Sequence, residues 1–352
     1  MKIAFNEYIK LLQQLIATPS FSRSEDRTAA LLKKFLTDQK VDIHQLRNNI
    51  WARNKYFNTN RPTVLLNSHH DTVKPAATYT RNPYEASISD GKLYGLGSND
   101  AGGCLVALLA TFLHFYERDD LSYNLIFAGS AEEEISGKNG IAALLPELGE
   151  IAVGMVGEPT LLQMAVAEKG LMVIDGTAKG VAGHAAREEG ENAIYIALQD
   201  IEQLRNLKLE HNSNLLGATK ISVTQIEAGS QHNVVPDTCT FVMDVRTNEF
   251  YPNEQLFHQL QQLTQSKLKA RSFRLNSSSI PLDHPLVQRG KEMGLSYYGS
   301  PTLSDQALMS FPTLKIGPGD SARSHTADEF IYVREIEAGI TTYCALLEGL
   351  EL

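Results

Sequence analysis

Three short apolar runs, each followed at once by acidic residues or histidines, constrain this chain more than any other feature. Pro62 to Asn67 leads into NSHHDTV, Tyr123 to Gly129 into SAEEEISG, and Ile151 to Val156 into VGEPT. Such runs are short for buried helices and suit strands covered on both faces. Helical spacing surrounds them, up to about Ile16, from Glu25 to about Leu36, within Ile135 to Leu148, and from Cys104 to Tyr116, which is apolar on nearly all sides. Val41 to Leu46 and Ile50 to Lys55 add two strand-like runs. The alternation predicts an α/β fold, a mostly parallel sheet with helices on both faces. Ligands of such sheets bind where loops leave the carboxyl ends of the strands.

At 352 residues the chain exceeds the roughly 250 to 300 residues at which one core stops growing, so two domains are expected. From Ala167 to Ser279 the rhythm changes to β-α-β-β-α-β, the order of a ferredoxin-like α+β domain. We read 167–279 as an insertion splitting a first domain made of 1–166 and 280–352. No solenoid-like repeat or low-complexity tract interrupts this order. A net charge of -9, without a run of five Lys or Arg, argues against nucleic acid and for a small-molecule partner. Cys104, Cys239 and Cys344 are far apart with no C-x-x-C, which excludes a thiolate zinc site and fits a reducing, cytoplasmic setting. Glu7 and Lys10 break the first apolar stretch, so it reads as an amphipathic helix, and no segment has the length of a membrane span.

Five loops carry the chemistry, and each alone has an ordinary explanation. His69 and Asp71 could be a polar turn, or a ligand with a carboxylate fixing its tautomer, His70 being a spacer. GLGSNDAGG has Asp100 where a dinucleotide fingerprint needs its third glycine, which would repel a pyrophosphate. Its ordinary role would be to cap the next helix. Glu132, Glu133 and Glu134 repel one another unless a cation joins them. Glu158 and His325 complete the set. Together, two imidazoles and three carboxylates without a thiolate suit zinc. Paired ions polarise a carbonyl and lower the pKa of water to about 7, with a further acid to move the proton. The lack of G-x-S-x-G argues against a serine hydrolase built on a nucleophile elbow.

The order H-x-D (His69 to Asp71), G-x-G-x-x-D (Gly95 to Asp100), Glu-Glu, GEPT and a late histidine resembles the zinc-dependent aminoacylase and carboxypeptidase family, which includes acetylornithine deacetylase and succinyl-diaminopimelate desuccinylase. The resemblance spans essentially the whole chain. It implies one zinc on His69, Asp100 and Glu158 and a second on Asp100, Glu134 and His325, with cobalt or manganese as substitutes. Glu133 is then the general base and Asp71 the partner of His69. The inserted domain is implied to be a lid and a homodimer surface. Its KGxxxH element, Lys179 to His184, offers His184 to an oxyanion, and Asn233 and Arg246 contact the substrate carboxylate, with Arg323 as a further contact.

The sequence departs from the family pattern at Glu132, Ala101 and Ser68, none of them a ligand. SNDAGG and SHTADEF are most similar to acetylornithine deacetylases. The expected reaction is hydrolysis of N-acetyl-ornithine or N-succinyl-ornithine to ornithine, as in arginine biosynthesis. Succinyl-diaminopimelate desuccinylase and metallo-dipeptidase or carboxypeptidase activity are the alternatives within this chemistry. An inactive binding homologue is the alternative outside it, set against a complete set of ligand and base residues.

Overall fold

The apolar runs form strands at Thr63–His69, Asn124–Ser130 and Val153–Val156, and every residue in them is buried. The structure is a computed structural model that describes residues 3–187 and 189–352. Thr63–His69 lies between the other two and is parallel to both, from Thr63 opposite Asn124 to His69 opposite Ser130. Thr313–Lys315 continues the parallel set beside Val153–Val156. Their carboxyl ends therefore share one edge.

The sheet's margins are antiparallel. Asn49–Arg53 pairs with Asn124–Ser130, and Ile43–Leu46 folds back on it through a two-residue turn in which Arg47 has φ 54. Met164–Glu168, a strand the sequence pattern does not announce, runs antiparallel to Thr313–Lys315. A hairpin can join antiparallel neighbours, whereas each parallel pair needs a crossover, here usually a helix. The fold is α/β, with helices on both faces of a sheet whose centre is parallel.

Alternation across the strands sends side chains to both layers. Leu65, Ile126 and Ala128 pack with Ile141, Leu144 and Leu148 of the helix Ile141–Leu148. Phe127, pointing the other way, lies 5.9 Å from Phe112 of the helix Gly103–Phe115. That helix is buried from Gly103 through Phe112, and burying each Leu, Val or Phe there stabilises the fold by about 1.5–3 kcal/mol. It starts close to its neighbours because it starts with glycine. A Cβ at Gly102 would collide with the Gly97 carbonyl, and one at Gly103 with the Ile331 side chain. The helix Val333–Leu347 packs alongside.

Two compact units form: 1–166 with 279–298 and 304–352, and 167–278 with 299–303. The second has a four-stranded antiparallel sheet in the order Lys220–Ala228, Thr238–Arg246, Met172–Lys179, Lys267–Ala270. With the helices Ala193–Arg205 and Asn253–Leu263 this is the β-α-β-β-α-β arrangement. Met172, Ile174, Phe241, Met243 and Val245 alternate inward onto Ala197, Leu256 and Leu260. A two-residue ribbon, Gly183–His184 with Val234–Val235, stands apart from that sheet. Among the described residues no helix is long and apolar enough to cross a membrane.

Candidate metal centre

Each loop at the shared edge delivers a donor for a local reason. His69 is the last residue of its strand, fully inside, and His70 turns away to hydrogen-bond Thr28 and the Asn48 carbonyl at 2.9 Å each. The imidazole of His69 places Nδ1 2.9 Å from the backbone carbonyl of Asp71 and 3.4 Å from its carboxylate. Asp71 thus orients the ring mainly through its main chain. Its carboxylate instead accepts the N–H groups of Glu133 and Glu134, at 3.0 and 3.2 Å, and the Ser22 hydroxyl at 2.7 Å. That fixes the acidic turn.

Within this turn the three carboxylates divide. Glu132, at φ 54, is buried against Asn139, whose backbone and side-chain nitrogens donate to it at 3.2 and 2.8 Å. Glu133 and Glu134 are left facing the site. Asp100 does not cap the following helix, which begins at Gly103 with no side-chain cap. Gly97 makes the preceding turn at φ 76, where a Cβ would lie 2.6 Å from Thr72.

The donors converge around two imidazoles. Nε2 of His69 lies 3.3 Å from Asp100 Oδ1, 3.8 Å from Glu158 Oε1 and 3.9 Å from Glu133 Oε2. Nε2 of His325 lies 3.0 Å from Glu134 Oε2 and 3.7 Å from Asp100 Oδ2. One carboxylate therefore reaches both rings with different oxygens. With its Nδ1–H donated to a carbonyl, neutral His69 would aim a lone pair at three carboxylates. Only a proton or a shared cation makes that arrangement favourable. Two donors each about 2.0–2.1 Å from one ion at the tetrahedral angle sit roughly 3.3 Å apart, close to the 3.3 Å between His69 and Asp100, while the 3.0 Å between His325 and Glu134 is also a direct hydrogen bond. Two groups within the cluster, His69 with Asp100 and Glu134 and His69 with Glu133 and Glu158, meet the distance requirement for holding an ion.

The electrostatics carry the same signature of excess negative charge. Burial, with the fields of Asp100 and Glu134 added, raises the Glu158 carboxyl to about 8, and burial also pushes Glu133 well above the usual range. Burial opposes charge on His69, yet hydrogen bonds to Asp100 and Asp71 lift its pKa well above 6.5. The hydrogen bond to Glu134 raises His325 to about 9.

Other residues singled out in the sequence fall elsewhere. Arg323 forms a two-pronged pair with Glu335, at 2.7 and 3.0 Å, and stacks near Phe330 and Tyr332. This pair braces the loop presenting His325. In the second unit His184 is exposed, and its Nδ1 accepts the Ala186 N–H at 3.1 Å. The neutral ring then carries its proton on Nε2. The Asn233 carbonyl accepts the Ala185 N–H at 3.0 Å, which keeps Asn233 beside His184. Arg246 is paired with Asp244 at 2.8 and 3.0 Å. Two residues near the centre escaped the sequence pattern. Asp305, raised to about 7 by burial, accepts the Ser130 hydroxyl at 2.6 Å, and Glu329 lies beneath the Asp100 loop. Neither belongs to a strand-end acidic motif.

Comparison with known proteins gives the family of the chain. The model of peptidase family M20/M25/M40 matches residues 65–349. The chain belongs to this family. Among relatives of this M20 chain, a succinyl-diaminopimelate desuccinylase of Cereibacter sphaeroides is 29% identical over 271 residues, covering 72% of this chain and 71% of the relative. An acetylornithine deacetylase of Proteus mirabilis is 29% identical over 374 residues, covering 96% and 95%. The YXEP protein of Bacillus subtilis, a dinuclear metal-binding peptidase of the M20 family, superposes with a TM-score of 0.75 at 16% identity, covering 98% of both chains. As a member of a peptidase family, the chain is a hydrolase.

Proposed function

We propose that this chain is a dinuclear metal hydrolase that cleaves the amide of a small N-acyl amino acid, with N-acetyl-ornithine or N-succinyl-ornithine giving ornithine in arginine biosynthesis. The observation that carries the metal part is Asp100 reaching His69 and His325 with separate oxygens. His69, Asp100 and Glu158 would hold one ion, and Asp100, Glu134 and His325 the other. A donor set of imidazole and carboxylate without thiolate supports zinc, with cobalt or manganese able to replace it. Bound there, the pair supplies Lewis-acid polarisation of the scissile carbonyl and an acidified water.

The protein's own groups do the rest. Glu133, held by its N–H to Asp71 yet facing the site, takes the proton of the attacking water and passes it to the leaving nitrogen. The burial that raises its pKa makes it a stronger proton acceptor than an exposed carboxylate. Asp71 positions both the ring of His69 and the turn of Glu133. In the second unit, read as a lid, the resemblance assigns His184 to the oxyanion, and its Nε2–H tautomer is the one able to donate. It assigns Asn233 and Arg246 to the substrate carboxylate. The Asp244 pair supports the fixed orientation such a fork requires. Exposed Tyr195, Leu198 and Ile226 on this unit support its use as a homodimer surface, in a protein that works in the cytoplasm.

The desuccinylase relative favours a second reading of equal standing, in which the substrate is N-succinyl-diaminopimelate. Purified protein with measured zinc content, assayed on N-acetyl-ornithine, N-succinyl-ornithine, N-succinyl-diaminopimelate and dipeptides, separates the two. Turnover of either ornithine derivative above the others supports our first choice. Turnover of dipeptides alone rejects both acyl readings.

A further inference from the structure

We propose that Glu329 is a positioning residue which holds Asp100 in the pose that lets it serve two ions at once. This rests on the dinuclear reading above. Glu329 is buried, and its carboxylate accepts three backbone N–H groups of one loop. Asn99 and Asp100 donate to Oε1 at 2.8 and 2.9 Å, and Gly97 donates to Oε2 at 3.1 Å. Its own carbonyl accepts the Gly95 N–H at 2.9 Å. One residue thus clasps the loop from Gly95 to Asp100, and the last N–H it holds belongs to Asp100 itself.

The clasp also joins the two halves of the site. Glu329 follows His325 by four positions and leads into Phe330–Tyr332, which pairs with Lys92–Tyr94 just before Gly95. Asn99 reinforces the link, since its side chain donates to the Asp320 carbonyl and accepts the Asp320 N–H, both at 3.0 Å. The segment carrying His325 and the loop carrying Asp100 are therefore braced through the same contacts. A glutamine of the same shape would not do this work. It has one carbonyl oxygen, so its NH2 group would oppose a backbone N–H, and the loop would have to shift.

The three N–H groups held by Glu329 fix the backbone of the bridging ligand, and groups behind a ligand typically contribute about 10- to 100-fold in metal affinity.

Because Asp100 is shared, the signature differs from that of losing a terminal ligand. Glu329→Gln should weaken both zinc ions by about 10-fold or more in a chelator-competition titration of the metal-stripped full-length protein. His325→Ala, the calibration, should weaken one ion and spare the other. Thermal unfolding of the metal-free variants separates the roles: a purely structural residue lowers the midpoint and leaves both affinities unchanged. Wild-type affinity at both sites in E329Q, or loss at one alone, overturns the proposal. Should E329Q not fold, Glu329→Asp, which keeps the acceptors but shortens the reach, is titrated in the same way and judged by the same outcomes. A wild-type chain that binds no zinc overturns the metal centre itself, a result distinct from unequal losses in the variants.

Discussion

Glu133 and Glu134 are sequence neighbours to which the proposed mechanism gives different tasks, and the difference comes from what each carboxylate faces. Glu134 lies 3.0 Å from His325, whereas Glu133 faces His69 from 3.9 Å without a direct hydrogen bond to it. Glu133→Gln keeps the size and the N–H held by Asp71 but cannot take a proton. The variant should retain bound zinc while kcat falls about 10²- to 10⁴-fold. Metal analysis alongside steady-state assay checks this, and undiminished turnover would remove Glu133 from proton transfer. The residues that meet around Asp100 could be singled out in the sequence because most of them sit in strand-end loops. Glu132 and Glu329 could not, because their partners are backbone N–H groups and an Asn side chain, which leave no pattern of side-chain types. The pairing of Arg323 with Glu335 left no pattern either, since Glu335 lies in the first turn of the helix after the next strand.

At the level of elements, the buried strands were legible from unbroken apolar runs and the inserted unit from its change of rhythm. Met164–Glu168 was not, and neither were Ile88–Ser89 and Lys92–Tyr94, whose two or three residues carry too little periodicity to separate strand from loop. The glycine pair before the helix Gly103–Phe115 shows how tightly element and site are joined. Gly103→Val would drive a branched side chain into Ile331 and lie near the Ser98 carbonyl, 3.1 Å from its Cβ. We expect a loss of about 1–3 kcal/mol in urea unfolding of the metal-free protein. An unchanged midpoint would show that this approach is looser than described.

Across the whole molecule, the centre concentrates negative charge in a chain already at -9. Without metal, the folded Glu158 holds a proton up to about 8 that the unfolded chain releases near 4.5. Its contribution to stability is therefore full below 4.5 and lost as pH rises through 8. His325, raised from 6.5 to about 9, loses its contribution over the higher part of the same range. Metal-free protein should thus become less stable from pH 6 to pH 9. Zinc displaces these protons and binds more tightly as pH rises, so the zinc-induced increase in Tm should be larger at pH 8 than at pH 6. Thermal scans with and without zinc test the sign, and an equal or smaller increase at pH 8 contradicts it. The central claim, that one aspartate joins two ions, is tested most directly by a crystal structure of the zinc-loaded protein with anomalous scattering. The account predicts two ions about 3.5–4 Å apart, one on His69 and Glu158, the other on Glu134 and His325, each taking one oxygen of Asp100. A single ion, or two ions with Asp100 bound to neither, would contradict it.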